Sequence, residues 1–267
     1  MKNYLVVFMS LLLLASCTGY ERVLKSNDVN YKLKKANEYF EKKKYSQANQ
    51  LYESLIPVMK QTRNYEPLYY RYAYTFYYLK DYLSASYHFK NFFDFFPSSK
   101  DAEECEFLYG YCLYKESPKS SLDQTYTIKA VEALQSFINV HPQSKKVSEA
   151  SKIISDCRTK LETKDAAAAK LYYNIGQYKA SGVAYQMVTR NYLSSTKIDY
   201  YQYMIVKSWF NYAKASVKSK QEERFATAIE AYKELVDTYP KSQYLREAEE
   251  YNTQAENYIK KIRDEHK

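Results

Sequence analysis

The cysteines and histidines are the residues whose side chains could act as nucleophiles or metal ligands. Cys105 and Cys112 are seven residues apart, which places them about 10 Å apart along one helix, too far for a disulfide. Neither has a histidine at the spacing of a zinc site, and His88, His141 and His266 are isolated from one another in the sequence. No metal site is therefore predicted, and Cys105 and Cys112 are expected to pack in the core.

Adjacent carboxylates offer a second kind of chemistry, general acid and base catalysis. The pairs are Glu103-Glu104, Glu222-Glu223 and Glu249-Glu250. Adjacent positions on a helix point in different directions, so we interpret these pairs as solvated faces. The sequence has no HExxH, GxSxG or Walker motif and no glycine-rich turn for a phosphate. We expect a protein that is not an enzyme, needs no cofactor and binds other proteins, with an envelope enzyme or cell-wall factor as the alternative.

Residues 1–16 have the pattern of a signal peptide. Lys2 precedes the apolar run from Leu5 to Leu14, and the small pair Ala15-Ser16 follows it. The run supplies about half of the ~20 apolar residues that a helix needs to cross a bilayer. We therefore separate this leader from the folded part of the chain.

Cys17 directly follows the leader and is the residue with the most specific predicted chemistry. Leu14-Ala15-Ser16-Cys17 resembles the bacterial lipobox, in which a peptidase cuts before a cysteine that carries diacylglycerol and an acyl chain. Several acyl chains give a stable anchor without a spanning helix. The resemblance implies a lipid on Cys17 and a lipidated tether over residues 17–28. The alternative is an ordinary signal peptide with an incidental cysteine. With Cys17 lipidated, three cysteines remain, and whether Cys157 or the other two form a disulfide stays open.

The elements that carry these residues are predicted to be helices. Roughly 250 residues follow the leader, enough for one elongated repeat domain. The chain has only 4 glycines and 6 prolines, and strand-type alternation of apolar and polar residues is scarce. It also has 33 tyrosines, so amphipathic rings supply much of the packing surface.

Small and aromatic residues recur at fixed offsets, followed by a proline or polar break, in the ~34-residue pattern of tetratricopeptide units. The clearest unit has Ala73 on its first helix, Asp81-Tyr82 at the turn, Ala85 on its second helix and Pro97 at the end. The fourth is weaker, because Ser181 replaces the alanine and a closing proline is missing.

The predicted fold class is all-α, a tetratricopeptide-type α-solenoid of about five helix pairs plus a C-terminal helix. The expected superhelical domain covers residues 29–267, with units at about 29–63, 66–98, 101–143, 145–195 and 197–241 and a capping helix at 244–263. A generic helix bundle is the alternative, and it leaves the spacing of turns, alanines and prolines unexplained.

The net charge of +9 comes mostly from lysine. No compact arginine cluster is present, so nucleic acid is not a predicted partner. Lys32-Lys34-Lys35 and Lys42-Lys43-Lys44 crowd the first unit, close to the tether. These lysines either contact anionic head groups or solvate the end of the domain.

Two aromatic sets are candidate binding residues. The first helix of each unit lines the inner surface of such a superhelix, where bound peptides lie. The candidate peptide-binding face consists of Tyr70, Tyr74, Tyr77, Phe107, Tyr111 and Tyr114. Its rings and hydroxyl tips would hold an extended or hairpin peptide that ends in aromatic side chains. The candidate docking site for a partner protein consists of Trp209, Phe210 and Tyr212. For both sets the alternative is ordinary packing between helices.

The third unit has an extra segment around Ser117 to Tyr126 that lengthens the turn between its helices. Together, the lipobox, the five units, this lengthened third unit and the helical tail resemble the BamD family of lipoproteins of the outer-membrane β-barrel assembly machine. The local matches are Tyr20-Glu21, Asn37-Glu38-Tyr39-Phe40, Lys44-Tyr45-Ser46-Gln47-Ala48, Leu122-Asp123-Gln124, Phe137-Ile138 and Gly176-Gln177-Tyr178-Lys179-Ala180. The similarity runs from Cys17 to about Ile262. The high tyrosine content and the weak fourth unit depart from the family pattern.

The resemblance implies a non-enzymatic scaffold that is lipid-anchored in the outer membrane and faces the periplasm. Its N-terminal units would receive unfolded outer-membrane β-barrel proteins, and its C-terminal units would dock on BamA, the barrel subunit. Thr18 after the cysteine does not resemble an inner-membrane retention signal, which favours the outer membrane. The alternative function is a tetratricopeptide lipoprotein that captures glycans or other cargo for an outer-membrane transporter.

Overall fold

A computed structural model describes residues 19–265. The predicted signal peptide, Cys17 and His266 lie outside the described residues. Residues 19–265 contain helices and no strands, so the predicted all-α class is confirmed. After a short helical segment at 19–24, the helices are α1 (Val29–Glu41), α2 (Tyr45–Met59), α3 (Tyr65–Tyr78), α4 (Tyr82–Phe95), α5 (Ala102–Glu116), α6 (Thr125–Val140), α7 (Val147–Asn174), α8 (Tyr178–Asn191), α9 (Ile198–Lys214), α10 (Lys218–Thr238) and α11 (Leu245–Glu265).

The described chain divides into two compact units. The first consists of residues 19–118 and 124–157, and the second of residues 119–123 and 158–265. Consecutive helices from α1 through α6 pack on one another in the first unit, and consecutive helices from α8 through α11 do so in the second. Helix α7 contributes its first eleven residues, 147–157, to the first unit and the rest to the second.

Three helix pairs share a tight turn in which one residue has a positive φ. These residues are Lys43 (57°), Lys80 (64°) and Gly176 (78°), each two positions before a tyrosine that begins the second helix. The left-handed conformation ends one helix and reverses the chain within a few residues. Asp81 then caps α4, because its side chain accepts a hydrogen bond from the Ser84 backbone N–H.

The second helix of four pairs ends in a common turn. An aromatic or histidine residue takes the C-cap with φ near −125° and ψ near +60°, and a serine follows three positions later. The C-cap residues are Phe96, His141, Tyr192 and Tyr239, and the serines are Ser99, Ser144, Ser195 and Ser242. Each serine N–H donates to the C-cap carbonyl, and each Oγ accepts from the N–H two residues on. The turn therefore satisfies its own backbone groups.

The same turns also bind the end of the second helix to the first helix of the pair through side-chain contacts. Ser99 Oγ donates to Glu66, Ser195 Oγ to Glu162 and Ser242 Oγ to Asp199, at distances of 2.6–2.8 Å. In the third pair His141 Nε2 lies 2.9 Å from Glu106 Oε2 instead. Leu193 takes the place of the closing proline in the fourth pair, yet the turn around Ser195 is the same. The serine hydrogen bonds, and not the proline, are common to these turns.

The core of the first unit is built from alanines and phenylalanines. Ala36, Ala48, Ala73, Ala85 and Ala130 are fully buried where paired helices approach closely. The fully buried rings between the helices are Tyr52, Phe89, Phe92 and Phe137. Small residues at the close approaches and rings in the gaps match the sequence-based expectation.

The second unit has a core of its own, which depends on one glycine. A Cβ on Gly182 of α8 would lie 3.1 Å from Cε2 of Trp209 on α9, so the indole packs directly on the bare backbone. Around it, Tyr185 and Leu235 are buried in one cluster, and Phe225 is buried in another. Trp209 contacts both clusters and joins them within this unit.

Candidate functional site

Helices α3 and α5 bring five of the six predicted peptide-binding residues into one line. Tyr70, Tyr74 and Tyr77 lie on α3, and Tyr111 and Tyr114 lie on α5, at spacings that share a helix face. Neighbouring ring centroids are 4.9, 6.0, 6.2 and 6.4 Å apart along this order. We call these five residues the aromatic row. All five side chains are half-buried, so each ring keeps an accessible part.

Phe107 does not belong to this accessible row. It is only 2% exposed and packs against Phe137, with ring centroids 5.6 Å apart. Lys146 Nζ lies 4.9 Å from its ring centroid, and Tyr111 covers it at 6.1 Å. The prediction that Phe107 contacts a peptide is corrected, because α6 and the residues before α7 cover this ring. Phe107 instead packs on the buried side of the row, against Tyr111.

Glu104 holds two tyrosines of the row in place. Tyr70 Oη donates to Glu104 Oε2 at 2.9 Å, and Tyr74 Oη donates to Glu104 Oε1 at 2.7 Å. Burial, together with this carboxylate, raises the pKa of both tyrosines well above the ordinary value. Both hydroxyls therefore stay protonated as donors, and they are engaged inside the protein. The hydroxyls of the row that remain to bind a peptide are therefore those of Tyr77, Tyr111 and Tyr114.

Sequence reasoning treated Glu104 as part of a solvated pair and missed this role. The available signal was its spacing: Glu104 follows Tyr70 by 34 residues, one repeat length. Equivalent faces of successive first helices adjoin in such a repeat. Glu103 and Glu104 are both exposed, as expected, and only the two hydrogen bonds of Glu104 were missed.

The row also continues toward the first helix pair through residues that were not predicted. Tyr78 lies 5.6 Å from Tyr74 and stacks on Tyr45 of α2 at 4.4 Å. Phe40 of α1 lies 6.1 Å from Tyr78. Tyr78 follows Tyr74 by four residues, a spacing that shares a helix face, so this neighbour could have been found from the sequence.

Two cations flank the aromatic row and its extension. Lys115 Nζ lies 5.6 Å from the ring centroid of Tyr82 and 6.0 Å from that of Tyr111. At the other end Arg71 lies 5.8 Å from the ring of Phe40 and pairs with Glu41 at 3.6 Å. The arrangement offers ring faces, free hydroxyls and a cation, which suit an aromatic peptide with a negative terminus.

The predicted docking residues on α9 have three different environments. Phe210 is 2% exposed and packs on Phe225 and Tyr251 at 5.6 and 5.0 Å, so its docking role is corrected to core packing. Trp209 is half-buried against Gly182, and its buried Nε1 has no hydrogen-bond partner within residues 19–265. Tyr212 is half-buried, with the Arg224 guanidinium 4.3 Å above its ring. Of these three residues, only Tyr212 is partly exposed and outside the core clusters of the second unit.

The second unit uses tyrosines differently. Tyr201 Oη donates to Glu162 and Tyr203 Oη to Glu247, each at 2.7 Å. Lys207 Nζ lies within 5.6–6.0 Å of three ring centroids, those of Tyr173, Tyr203 and Tyr251. The ring faces here are occupied by a lysine of the same chain.

Cys105 and Cys112 are buried on α5, and burial raises the pKa of the Cys112 thiol to about 12. Both pack in the core, as predicted, and Cys157 is buried in the same cluster. Within residues 19–265 no group of three or more histidine, cysteine or carboxylate side chains is placed to hold a metal ion. In the same range, every helix is too short or too polar to span a bilayer.

Antiparallel helix pairs that meet at alanines, fill their gaps with rings and close through repeated turns define a tetratricopeptide-type α-solenoid, the fold class predicted from the sequence. The family model of the YfiO outer membrane lipoproteins matches residues 26–197 and 172–262. The chain therefore belongs to the YfiO family of outer membrane lipoproteins, the BamD-type family that the sequence resembles.

Two solved structures are among those with similarity to the chain. One is the TPR2AB domain of yeast Sti1 in a complex with pHSP90, with TM-score 0.37 and 13% identity, covering 85% of this chain and 98% of that one. Another is the apo form of RapI, with TM-score 0.35 and 12% identity, covering 88% and 99%. No curated protein matches the sequence. With such low TM-scores, the family assignment depends on the family model.

Proposed function

We propose that this protein is a non-enzymatic scaffold of the outer-membrane β-barrel assembly machine, held in the outer membrane by a lipid on Cys17 and facing the periplasm. It binds unfolded outer-membrane β-barrel proteins through its first unit and a BamA-like barrel subunit through its second. Membership in the YfiO family supports the location, and the aromatic row supports the binding of unfolded chains.

The aromatic row is suited to binding because its geometry is fixed before a ligand arrives. Glu104 orients Tyr70 and Tyr74, and the row rests on the buried Phe107. Ordering flexible side chains costs about 0.5–1.5 kcal/mol each on binding, and a pre-ordered row avoids most of that cost. Tyrosine is also among the residues that carry most binding energy at protein interfaces.

The chemistry of the row indicates which part of an unfolded barrel protein it takes. Half-buried rings at intervals of 5–6 Å offer successive contacts for aromatic side chains of an extended segment. Lys115 beside Tyr111 adds a positive charge at one end. A C-terminal segment with aromatic residues and a free carboxylate satisfies both features.

Docking on the barrel subunit is assigned to the second unit, with a smaller surface than the sequence indicated. Of the three candidate residues Tyr212 remains, with Arg224 above its ring. A ring with a stacked guanidinium matches the residue types enriched at interfaces. Phe210 and Trp209 would act indirectly, because they support α9 from within.

The aromatic row is tested by the affinity of the purified, lipidated protein in detergent for a labelled peptide with the C-terminal sequence of an outer-membrane barrel protein. Fluorescence anisotropy gives the Kd. Tyr111→Ala removes the ring of the row that lies beside Lys115, and we expect about tenfold weaker binding. Tyr87→Ala is the matched control, because Tyr87 is a 62% exposed tyrosine on α4 of the same unit and outside the row. Equal losses in both variants would refute the assignment of the row.

The partner is tested by mild crosslinking in envelopes, affinity enrichment and mass spectrometry. Recovery of a BamA-like subunit that is reduced by Tyr212→Ala supports the assembly role. Recovery of a glycan transporter without any barrel subunit would contradict it and leave only the lipoprotein family.

A further inference from the structure

The chain just after the predicted lipid anchor is held against the first helix pair. Tyr20 Oη donates to Gln50 Oε1 at 2.7 Å, and its ring meets Tyr39 of α1 edge-on at 5.5 Å. Val23 of the same segment is 4% exposed and belongs to the core of the first unit. Residues 19–24 are thus part of the folded unit.

A crevice of about 310 Å³ lies between this segment and α1. It is bordered by Gly19, Val23, Tyr31 and Tyr39 and by charged residues, of which three are lysines and one is a glutamate: Lys35, Lys42, Lys44 and Glu38. Lys35 pairs with Glu38 at 2.8 Å. Neither Lys42 nor Lys44 forms an ion pair with any residue in the described range 19–265. Glu38 also interacts electrostatically with Lys42, so the crevice has one carboxylate against three lysines and keeps a net positive charge.

The position of the crevice decides what can reach it. Gly19 borders the crevice, and Cys17 is two residues earlier, so the two Cα atoms are at most about 7 Å apart. A lipid on Cys17 would insert into the bilayer there, and the phosphates of neighbouring lipids would lie at the same depth. Each lysine near an anionic lipid surface contributes about a factor of five to binding, the equivalent of ~1 kcal/mol.

We infer that this crevice binds the phosphate group of an anionic phospholipid, through Lys42 and Lys44, beside the tether. The inference rests on the lipid anchor of the proposed function. An acidic protein segment could meet the same charges, but the distance to Cys17 favours the lipid. The lipid and the head-group contact together would hold the first unit to the membrane surface at two points.

The test uses the full-length lipidated protein in vesicles of phosphatidylcholine alone or with phosphatidylglycerol. Flotation with the pure phosphatidylcholine vesicles checks the anchor first, so that its failure is distinguished from failure of the crevice. Amide hydrogen exchange then follows residues 19–45. We expect about fivefold slower exchange in this region with phosphatidylglycerol, and loss of the difference in ~1 M salt.

The variant is Lys42→Gln/Lys44→Gln, and the matched control is Lys260→Gln/Lys261→Gln, two exposed lysines of α11. Circular dichroism checks that both fold. Loss of the phosphatidylglycerol effect in the first variant alone supports the crevice. The inference is overturned if exchange is the same in both vesicles, if the effect persists in the first variant, or if inorganic phosphate with phosphatidylcholine vesicles reproduces it.

Discussion

Tyrosine has different roles in the two units. In the first, two hydroxyls converge on Glu104, and five half-buried rings line up, of which only Tyr111 has a lysine, Lys115, within 6.0 Å of its centroid. In the second, Tyr201 and Tyr203 each use a separate carboxylate, and Lys207 occupies the neighbouring ring faces. Tyrosine content therefore does not identify a binding surface. The deciding feature is whether the protein itself already covers the rings.

The largest difference between the units should appear when the carboxylates are removed. Glu104→Ala leaves two half-buried hydroxyls without their acceptor, and we expect the first unit to lose about 2 kcal/mol of unfolding free energy. Glu247→Ala affects only Tyr203, and the expected loss in the second unit is about 1 kcal/mol. Amide exchange of α3 and α9 during urea unfolding measures each unit separately.

Glu103→Ala is the matched control for Glu104→Ala, since it removes an exposed carboxylate at the adjacent position. Its expected effect is close to zero. If Glu103→Ala and Glu104→Ala destabilise α3 equally, the hydrogen bonds of Glu104 do not stabilise the row.

A smaller difference between the units should appear in their stability at acid pH, because the first unit contains His88. Tyr69 Oη lies 3.0 Å from His88 Nδ1, and the rings of Tyr72, Phe76 and Tyr87 surround the imidazole. The negative charge of Asp81 acts to raise the pKa of His88, but burial has the larger effect. Burial lowers the pKa of His88 from 6.5 to about 4. The folded state favours the neutral ring, so this stability is present above the unfolded pKa and is lost as the pH falls toward 4.

Between neutral pH and pH ~4, we expect protonation of His88 to lower the unfolding free energy of the first unit by about 1–2 kcal/mol, after allowing for solvent screening. The second unit has no histidine within residues 158–265. Amide exchange as a function of pH compares the units, and His88→Asn should remove most of the difference. An unchanged pH profile in that variant would assign the acid sensitivity to other groups.

The smallest effect concerns the turns inside the helix pairs. Lys80 and Gly176 occupy the same left-handed conformation in the two units. Lys80→Gly should stabilise the first unit by about 0.5 kcal/mol, and Gly176→Lys should destabilise the second by about 1 kcal/mol. Lys80→Ala is the control, since it removes the side chain without making this conformation easier. A similar gain in Lys80→Ala would show that the lysine side chain, and not its backbone, is unfavourable.

Local patterns in the sequence predicted the helices well. The spacing of Ala73, Ala85 and Pro97 indicated paired helices, because close approach requires small residues wherever the pair occurs. The same periodicity placed Tyr70, Tyr74 and Tyr77 on one face. It could not give depth: Phe107 shares a helix face with the half-buried Tyr111 and Tyr114, but Phe137 of another helix covers it. Phe210 is likewise covered by Phe225 of the next helix.

Pairings between distant residues were not predictable in this way. The hydrogen bonds of Glu104 with Tyr70 and of Ser195 with Glu162 join residues 33–34 positions apart. Lys207 lies among tyrosines from α7, α9 and α11, and no single helix shows that arrangement. The missing proline of the fourth unit was a misleading signal, because the serine turn formed without it.

The closure of each helix pair on itself has an evolutionary consequence. Ser99 and Glu66 lie at the two ends of one pair, as do Ser242 and Asp199, so each pair encodes both partners of its closing bond. A duplication that copies one pair would carry the complete bond with it. Lengthening such a chain by gene duplication therefore needs no matching change elsewhere, which makes whole pairs the natural unit of gain and loss.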